Sequence, residues 1–197
     1  MMKHLLKLSL ITALMMAVSC KPSPQKAENY YDDIISPLEK VFDLEEEFIV
    51  LFNSQMDKTV NDSSTIITKI DTGSLAADFK KMDMAFNNFQ IQVSVSKNTL
   101  EAMPDFDKND KLKKTAIDVL DEYSKVCSNE YPELLKIAKI PDGNYSVEDD
   151  DKILELTEII DNKLQEKIGV LTKELKLFAK NYNFEIQNDS LKKNEPK

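Results

Sequence analysis

The chain has 197 residues and a formal net charge of −9, with 35 acidic and 26 basic residues. Its basic side chains are lysines and one histidine, and the sequence contains no arginine. Because nucleic-acid binding needs clustered cations, with arginine supplying bidentate base contacts, this composition argues against a nucleic-acid-binding protein.

The first nineteen residues have the organisation of a signal peptide. Lys3 and Lys7 form a short basic head, and residues 8–18 are an apolar run. A bilayer-spanning helix needs about 20 apolar residues, so this run is too short for a stable span. We therefore expect residues 1–19 to be removed.

The run ends in Ala17-Val18-Ser19-Cys20, which resembles the lipobox of bacterial lipoproteins, although that motif more often has leucine at the position of Ala17. The resemblance implies that Cys20 becomes the first mature residue and carries acyl chains. Each buried methylene contributes about 0.8 kcal/mol, so several chains would hold the protein at a membrane. An ordinary cleaved signal with an incidental cysteine, or an uncleaved anchor, is the alternative.

Removal of residues 1–19 changes both the charge and the chemistry of the chain. Lys3, Lys7 and the single His4 are lost, so the net charge falls from −9 to −11. Cys127 remains as the one thiol besides Cys20, so no intramolecular disulfide is expected. Without histidine the mature chain lacks the parts for a Ser-His-Asp site or a di-iron bundle. We expect no catalysis, no cofactor and no bound metal.

Residues 20–28 are polar, contain two prolines, and are predicted to be an acylated terminus and flexible tether. Four segments with helical periodicity follow, within a predicted domain at residues 29–182. The first runs from about Asn29 to Met56 and contains Pro37, which predicts a kink within one helix. A short helix followed by a longer one is the alternative.

The second segment carries the clearest heptad pattern, with Ser74 as its predicted N-cap and Pro104 after its end. Its seam residues recur at alternating spacings of four and three, broken by one serine: Leu75, Phe79, Met82, Phe86, Phe89, Val93, Ser96, Leu100 and Met103. The third segment, Asp110 to Ala138, should bend at Pro132.

Ser146 is the predicted cap of the fourth segment, whose first turn is acidic and suits the helix dipole. Its predicted inner face comprises Ile153, Leu156, Ile160, Leu164, Ile168, Leu171, Leu175 and Phe178. Residues 183–197 are predicted to be a polar C-terminal tail. The second and third connections are short, and the chain has only three glycines. These features predict an all-α fold, an up-down-up-down antiparallel four-helix bundle.

The lipobox, "YYDDI" at residues 30–34, "NEYPELL" at 129–135 and "ELKLFAKNYNF" at 174–184 give the chain a resemblance to an uncharacterised family of Gram-negative surface lipoproteins. The resemblance covers nearly the whole mature chain and implies a helical envelope protein without a defined activity. Lys21 follows the cysteine in place of the aspartate that retains some lipoproteins in the inner membrane. The predicted location is therefore the outer membrane.

Four groups of residues are candidates for chemistry. "DFDKND" at residues 105–110 imitates the start of a calcium loop but lacks the glycine and glutamate of an EF-hand, so a solvated connection is favoured. The acidic runs 45–47 and 148–151 are interpreted as solvated surface and dipole compensation. Cys127 lies on an apolar stripe and is predicted to be a buried small hydrophobe. The six tyrosines could line a ligand groove, but packing at bundle ends and edges is the favoured interpretation.

The leading functional hypothesis is a lipid-anchored bundle with a structural or partner-binding role, attached to the membrane through Cys20. The alternative is a lipoprotein that carries a small ligand or a metal in a cleft between helices. A filled or hollow interior should separate the two.

Overall fold

The structure, a computed structural model, describes residues 22–62, 72–108 and 110–186. For residues 57–62, 72–76 and 142 it describes the backbone and not the side chains. The described chain is all-α, as predicted, and contains no strand. Its α-helices are α1 (Pro24–Asp62), α2 (Thr72–Ala102), α3 (Lys111–Ser128), α4 (Glu130–Ala138) and α5 (Val147–Tyr182), with a 3-10 turn at Asp142–Asn144.

Helix α1 begins earlier than the sequence suggested. It starts at Pro24, and Ala27 in its first turn is fully buried. The Ser23 hydroxyl accepts a hydrogen bond from the Lys26 amide at 3.3 Å, and proline at the first helical position costs no hydrogen bond. The predicted tether at residues 20–28 is therefore wrong from Pro24 onward, because "SP" is a helix start.

Pro37 lies inside α1, which continues past it as one helix, as favoured from the sequence. The proline carbonyl accepts a hydrogen bond of 2.7 Å from the hydroxyl of Ser96 on α2. Ser96 was the polar break in the predicted seam, and it is fully buried. Its burial is tolerated because its hydroxyl has this partner.

The predicted seam of α2 is confirmed within the described side chains. Its buried members are Met82, Phe86, Phe89, Val93, Ser96 and Leu100. The predicted N-cap, Ser74, is wrong, because α2 already begins at Thr72 and Ser74 lies within its first turn. Leu75 belongs to the side chains outside the description.

The third predicted segment is two helices. α3 ends at Ser128 and α4 begins at Glu130, with Pro132 in the first turn of α4. Proline cannot donate an amide hydrogen bond but is accepted in a first turn, so the break falls at Asn129, before the proline. The bend predicted at Pro132 thus lies three residues earlier.

Helix α5 starts after Ser146 as predicted, and the Ser146 amide donates a hydrogen bond of 2.9 Å to the Asp149 carboxylate. All but one of its predicted inner-face residues are buried; Ile153 is half-buried and packs against the core.

The end of α5 corrects the prediction of a polar tail from residue 183. Asn183 adopts a left-handed conformation with φ of 56°, and the Phe184 amide donates to the Ala179 carbonyl at 3.2 Å. This is a Schellman-type helix end, which turns the following residue back onto the helix. Phe184 packs edge-on against Tyr31, and Ile186 also contacts the core, so the tail prediction is wrong for residues 183–186. Residues 187–197 lie outside the described part.

The packing partners of the long helices differ. α1 packs mainly on α2, and α5 packs mainly on α3, while the contact between α1 and α5 is sparse. None of the described helices combines the length and apolarity needed to cross a membrane. The sparse contact leaves space between α1 and α5, and the candidate functional site lies in that space.

Candidate functional site

A cleft of about 1020 Å³ opens where α1 and α5 separate. α1 and α5 form its sides, and α3 and α4 contribute Tyr123, Tyr131 and Leu134. Its apolar lining residues are Phe42, Ile49, Leu134, Ile160, Leu164 and Ile168. Its polar lining residues are Glu39, Asp43, Glu45, Glu46, Tyr123, Tyr131, Thr157, Asp161 and Gln165. The helices therefore leave an open groove at this point.

Three polar side chains converge at this cleft, and we call them the Glu45 cluster: Glu45, Tyr123 and Tyr131. The Tyr123 hydroxyl donates a hydrogen bond of 2.6 Å to one carboxylate oxygen of Glu45. The Tyr131 hydroxyl donates to the other oxygen. Both tyrosines are almost fully buried, whereas Glu45 remains partly exposed. The cluster joins α1 to α3 and α4.

Aromatic packing fixes the two phenols. The Tyr131 ring stands edge-on to Phe48 at 5.4 Å and to Phe89 at 5.7 Å between ring centroids. The Tyr123 ring stands edge-on to Phe89 at 5.8 Å. Such edge-to-face pairs are a preferred aromatic arrangement and restrict the rings, so the two hydroxyls are held in place before any ligand arrives.

The surroundings of Glu45 work against its ionised form. Burial raises the pKa of the Glu45 carboxyl, the phenol hydrogen bonds oppose this, and the nearby Asp161 carboxylate raises the pKa further. Burial also raises the pKa of Tyr123 and of Tyr131, and the Glu45 charge adds to both increases. The phenols therefore stay protonated and act as donors. Two donated hydrogen bonds, one on each oxygen, suit a carboxylate rather than a carboxylic acid.

The charged residues that line the cleft are all acidic. Besides Glu45, its lining includes Asp43, Glu46 and Asp161, which are exposed at its rim, and the half-buried Glu39. No lysine is among the described residues that line it. In an apolar enclosure such carboxylates raise the local concentration of cations.

The position of Glu45 contradicts the interpretation of residues 45–47 as solvated surface. Glu46 and Glu47 are exposed, but Glu45 points inward. The signal was in the sequence: Val41 and Phe48 on the buried stripe of α1 lie four residues before and three after Glu45. A carboxylate beside such a stripe is a candidate for a buried functional group.

A second carboxylate cluster lies at the other end of α3, and we call it the Asp110 cluster: Tyr30, Asp105, Asp110 and Lys113. The Asp110 carboxylate accepts hydrogen bonds from the Tyr30 hydroxyl at 2.5 Å and from the Phe106 amide at 3.2 Å. It also caps α3 through the Lys113 amide at 3.4 Å, and it lies 3.5 Å from the Lys113 ammonium. Asp105 pairs with the same ammonium.

The Asp110 cluster explains the sequence that imitates a calcium loop. Asp105 is paired with Lys113, and Asp107 accepts the Asp110 amide at 2.7 Å. Asp110 itself adopts a left-handed backbone with φ of 33°, which aspartate tolerates better than most residues. Asn109 lies outside the described residues. These oxygens are satisfied by protein donors, so the stretch is the structured start of α3 rather than a simple solvated connection.

The remaining candidates are structural. Of residues 148–151, the first three lie in the first turn of α5, where Asp149 belongs to the capping box, in agreement with dipole compensation. Cys127 is buried, as predicted, and burial raises the pKa of its thiol to about 12, which makes it a poor nucleophile. Among the described residues, no group of three Cys, Asp or Glu side chains is arranged to hold a metal ion. Cys20 lies outside the described part of the chain.

The chain has no match among protein-family models, curated proteins or solved structures. The resemblance to Gram-negative surface lipoproteins therefore remains a prediction from the quoted motifs.

Proposed function

We propose that the protein is a lipid-anchored, non-enzymatic helical bundle of the bacterial cell envelope that binds a small ligand in the cleft between α1 and α5. The observation that carries this proposal is the open cleft with the Glu45 cluster on its floor. It favours the ligand-carrier hypothesis over a purely structural role.

The cleft has the features of a small-molecule site. Ligand pockets are mostly apolar cavities of about 300–1,000 Å³ with a few convergent polar groups. Here six apolar side chains line the cleft together with the Glu45 carboxylate and its two phenol donors, and four further carboxylates belong to the same lining. The proposal of a non-catalytic role rests on the lack of a histidine after His4 and on the inert, buried Cys127 thiol.

An up-down-up-down antiparallel arrangement is part of the proposal. Ser96 contacts Pro37 and Phe86 contacts Phe48, so α2 runs against α1. Asp110 contacts Tyr30 and Tyr123 contacts Glu45, so α3 runs along α1. The Phe178 ring near the end of α5 lies 6.0 Å from the Tyr30 ring, which supports a position of that helix end beside the start of α1.

The anchor in this proposal is Cys20 with its acyl chains, in the outer membrane. Helix α1 begins at Pro24, so little chain separates the acylated residue from the bundle. Glu45 lies 21 residues further on, which is roughly 30 Å along an α-helix at about 1.5 Å per residue. If the bundle stands on the membrane, the cleft opens into water well above the lipid headgroups.

Replacing the acylated residue tests the anchor. In Cys20→Ala cells we expect an unprocessed precursor with no acyl chain, because thioether formation requires the thiol. Mass spectrometry of the membrane-fraction protein reads the mature terminus and its mass. A wild-type terminus elsewhere than residue 20, without lipid, would overturn the anchor and leave the cleft untouched.

Obstructing the cleft tests ligand binding. Thr157 is an exposed residue of the lining, so Thr157→Trp should fill part of the cleft without disturbing the core. A small-molecule library is screened by thermal shift against the full chain in nanodiscs. Ligands of the cleft should raise the melting temperature of the wild type and not of Thr157→Trp, since only selective binding to the folded state stabilises it. Equal shifts in both proteins, or none, would contradict the proposal.

A partner-binding role is the second candidate, and one surface favours it. Met84, Ile91 and Val95 are each about half exposed and lie on one face of α2, seven and four residues apart. Apolar stripes of this kind mark contact surfaces when they are continuous. A photo-crosslinking residue at Ile91 should yield a discrete crosslinked product in cells, and one at exposed Glu155 of α5 should not.

A further inference from the structure

The Glu45 carboxylate has no lysine beside it among the described residues that line the cleft, and this indicates the class of ligand. At the Asp110 cluster the buried carboxylate has Lys113 beside it, within 3.5 Å. At the Glu45 cluster the described lining supplies phenols but no cation. Removing a carboxylate from water without a counter-charge is costly, so a ligand that brings a positive charge gains more here than a neutral one.

The Glu45 carboxylate has room for a further donor. A carboxylate offers about four lone-pair sites, and the two phenols use one on each oxygen. Glu45 is partly exposed and lines the cleft, so a hydrogen-bond donor that enters the cleft can reach it. An ammonium group fits this requirement, because it has three donors and no acceptor.

The apolar side chains that line the cleft favour a ligand that also has an apolar part. Ile160, Leu164 and Ile168 lie on one stripe of α5, while Phe42 and Ile49 face the cleft from α1. A volume of about 1020 Å³ far exceeds the needs of a single ion. Calcium needs about six to eight converging oxygens, and no ligand set of this kind is found among the described residues.

We propose that the cleft binds an amphiphilic organic cation, with its ammonium group on the Glu45 carboxylate and its hydrocarbon part between α1 and α5. This proposal rests on the proposed ligand-binding function and adds the chemistry of the ligand. Asp43, Glu46 and Asp161 at the rim attract the cation, and the apolar walls discriminate against compact polyamines.

The experiment uses four probes that separate the contribution of charge from that of the apolar chain. Hexylammonium, hexanoate and 1-hexanol share a chain and differ in charge, and spermidine has charge without an apolar tail. Binding to the full chain in phosphatidylcholine nanodiscs is measured by isothermal titration calorimetry, with empty nanodiscs as the blank. Hexylammonium should bind at least about tenfold more tightly than each of the other three.

Variants assign the binding to the site. Glu45→Gln should weaken hexylammonium binding at least about tenfold, and Glu45→Asp should retain most of it. Glu47→Gln is the matched control, because Glu47 is an exposed glutamate of α1 outside the cleft. Circular dichroism verifies that each variant is folded, and loss of hexylammonium binding in Thr157→Trp keeps the test valid if Glu45→Gln does not fold.

Other results overturn the proposal in distinguishable ways. If hexanoate or hexanol binds as well as hexylammonium and Thr157→Trp abolishes it, the ligand class is wrong and the ligand-binding function stands. If spermidine binds best, the apolar walls do not contribute and the amphiphile is wrong. If no probe binds, or binding is the same in Thr157→Trp, the cation proposal fails. A dimer in sedimentation that Thr157→Trp dissociates would show that a second copy covers the cleft, which removes the ligand-binding function as well.

Discussion

The Asp110 and Glu45 clusters use the same chemistry for different purposes. In both, a carboxylate on one helix accepts a tyrosine hydroxyl from another, at 2.5 Å for Tyr30 and 2.6 Å for Tyr123. The Asp110 carboxylate then receives backbone donors and a lysine, and its side chain is 2% exposed. Among the described residues, Glu45 receives hydrogen bonds from the two phenols alone, and it borders the cleft.

The difference between the clusters shows how a carboxylate–tyrosine pair can either stabilise the fold or form part of a binding site. A buried carboxylate that has all its partners within the fold positions helices and is closed to other molecules. A carboxylate that has no cation beside it can still be stabilised by a positively charged ligand. The distinction depends on Lys113 and on the gap between α1 and α5, not on the carboxylate–tyrosine pair itself.

The largest expected effect comes from removing an aromatic ring that packs against the Glu45 cluster. Phe89 is fully buried and stands edge-on to both Tyr123 and Tyr131. Phe89→Ala should lower the free energy of unfolding by about 3–5 kcal/mol, because it removes a core ring and leaves a cavity. Urea denaturation followed by circular dichroism measures the loss.

Phe106→Ala is the control for that substitution. Phe106 packs on Tyr30 at 4.8 Å in the Asp110 cluster but is only partly buried, so its loss should be clearly smaller. Equal losses in the two variants would mean that the two clusters depend on aromatic support to the same degree.

Removal of the Asp110 carboxylate has the next largest expected effect. Asp110→Ala deletes the cap of α3, the acceptor for Tyr30 and a partner of Lys113, whose side chain is 9% exposed. Loss of an N-cap alone costs about 0.5–2 kcal/mol, and the lysine loses a nearby counter-charge. We expect a loss of about 2–3 kcal/mol in urea denaturation.

Asp110→Asn separates the contributions within that loss. Asparagine tolerates the left-handed backbone and keeps an acceptor for the cap, so this variant should lose less than Asp110→Ala. A loss below about 0.5 kcal/mol in Asp110→Ala, the range of ordinary surface substitutions, would show that the cluster contributes nothing to stability.

The all-α class and the buried faces of the helices could be predicted from local patterns, whereas the clusters needed tertiary structure. The seam of α2 and the cap at Ser146 follow from spacing within one helix, and both are confirmed where side chains are described. The Tyr30–Asp110 pair joins residues 80 apart, which no local pattern encodes. The start of α1 was missed because Ser23-Pro24 was interpreted as tether composition.

Glu45 was missed for a different reason. Its heptad position could be seen in the sequence, but its neighbours Glu46 and Glu47 made the run look like solvated charge. The gap that makes Glu45 a site arises because α1 packs mainly on α2 and α5 mainly on α3. Helix-pairing preferences of this kind depend on the packing of whole faces and are not specified by the periodicity of one helix.

The smallest expected effect is a difference in pH dependence between the clusters. Because burial raises the pKa of Glu45, the folded state binds a proton that the unfolded state has lost, and stability falls as pH rises from about 4.3 through the folded pKa. Glu45→Gln lacks this titration. Its stability relative to the wild type should therefore increase over that interval.

Asp105 should behave in the opposite way. Its hydrogen bond with Lys113 lowers the pKa of the Asp105 carboxyl, so the stability it contributes is present above its unfolded pKa and is lost as pH falls through the folded pKa. Asp105→Asn should be slightly less stable than the wild type at pH 7, and the difference should shrink in acid. It should remain small, because the Asp105 side chain is 66% exposed. Urea denaturation of both variants and the wild type between pH 3 and 8 measures the two slopes. If the slopes have the same sign, the Glu45 carboxylate is compensated within the fold as Asp105 is, and the contrast between an open and a closed cluster fails.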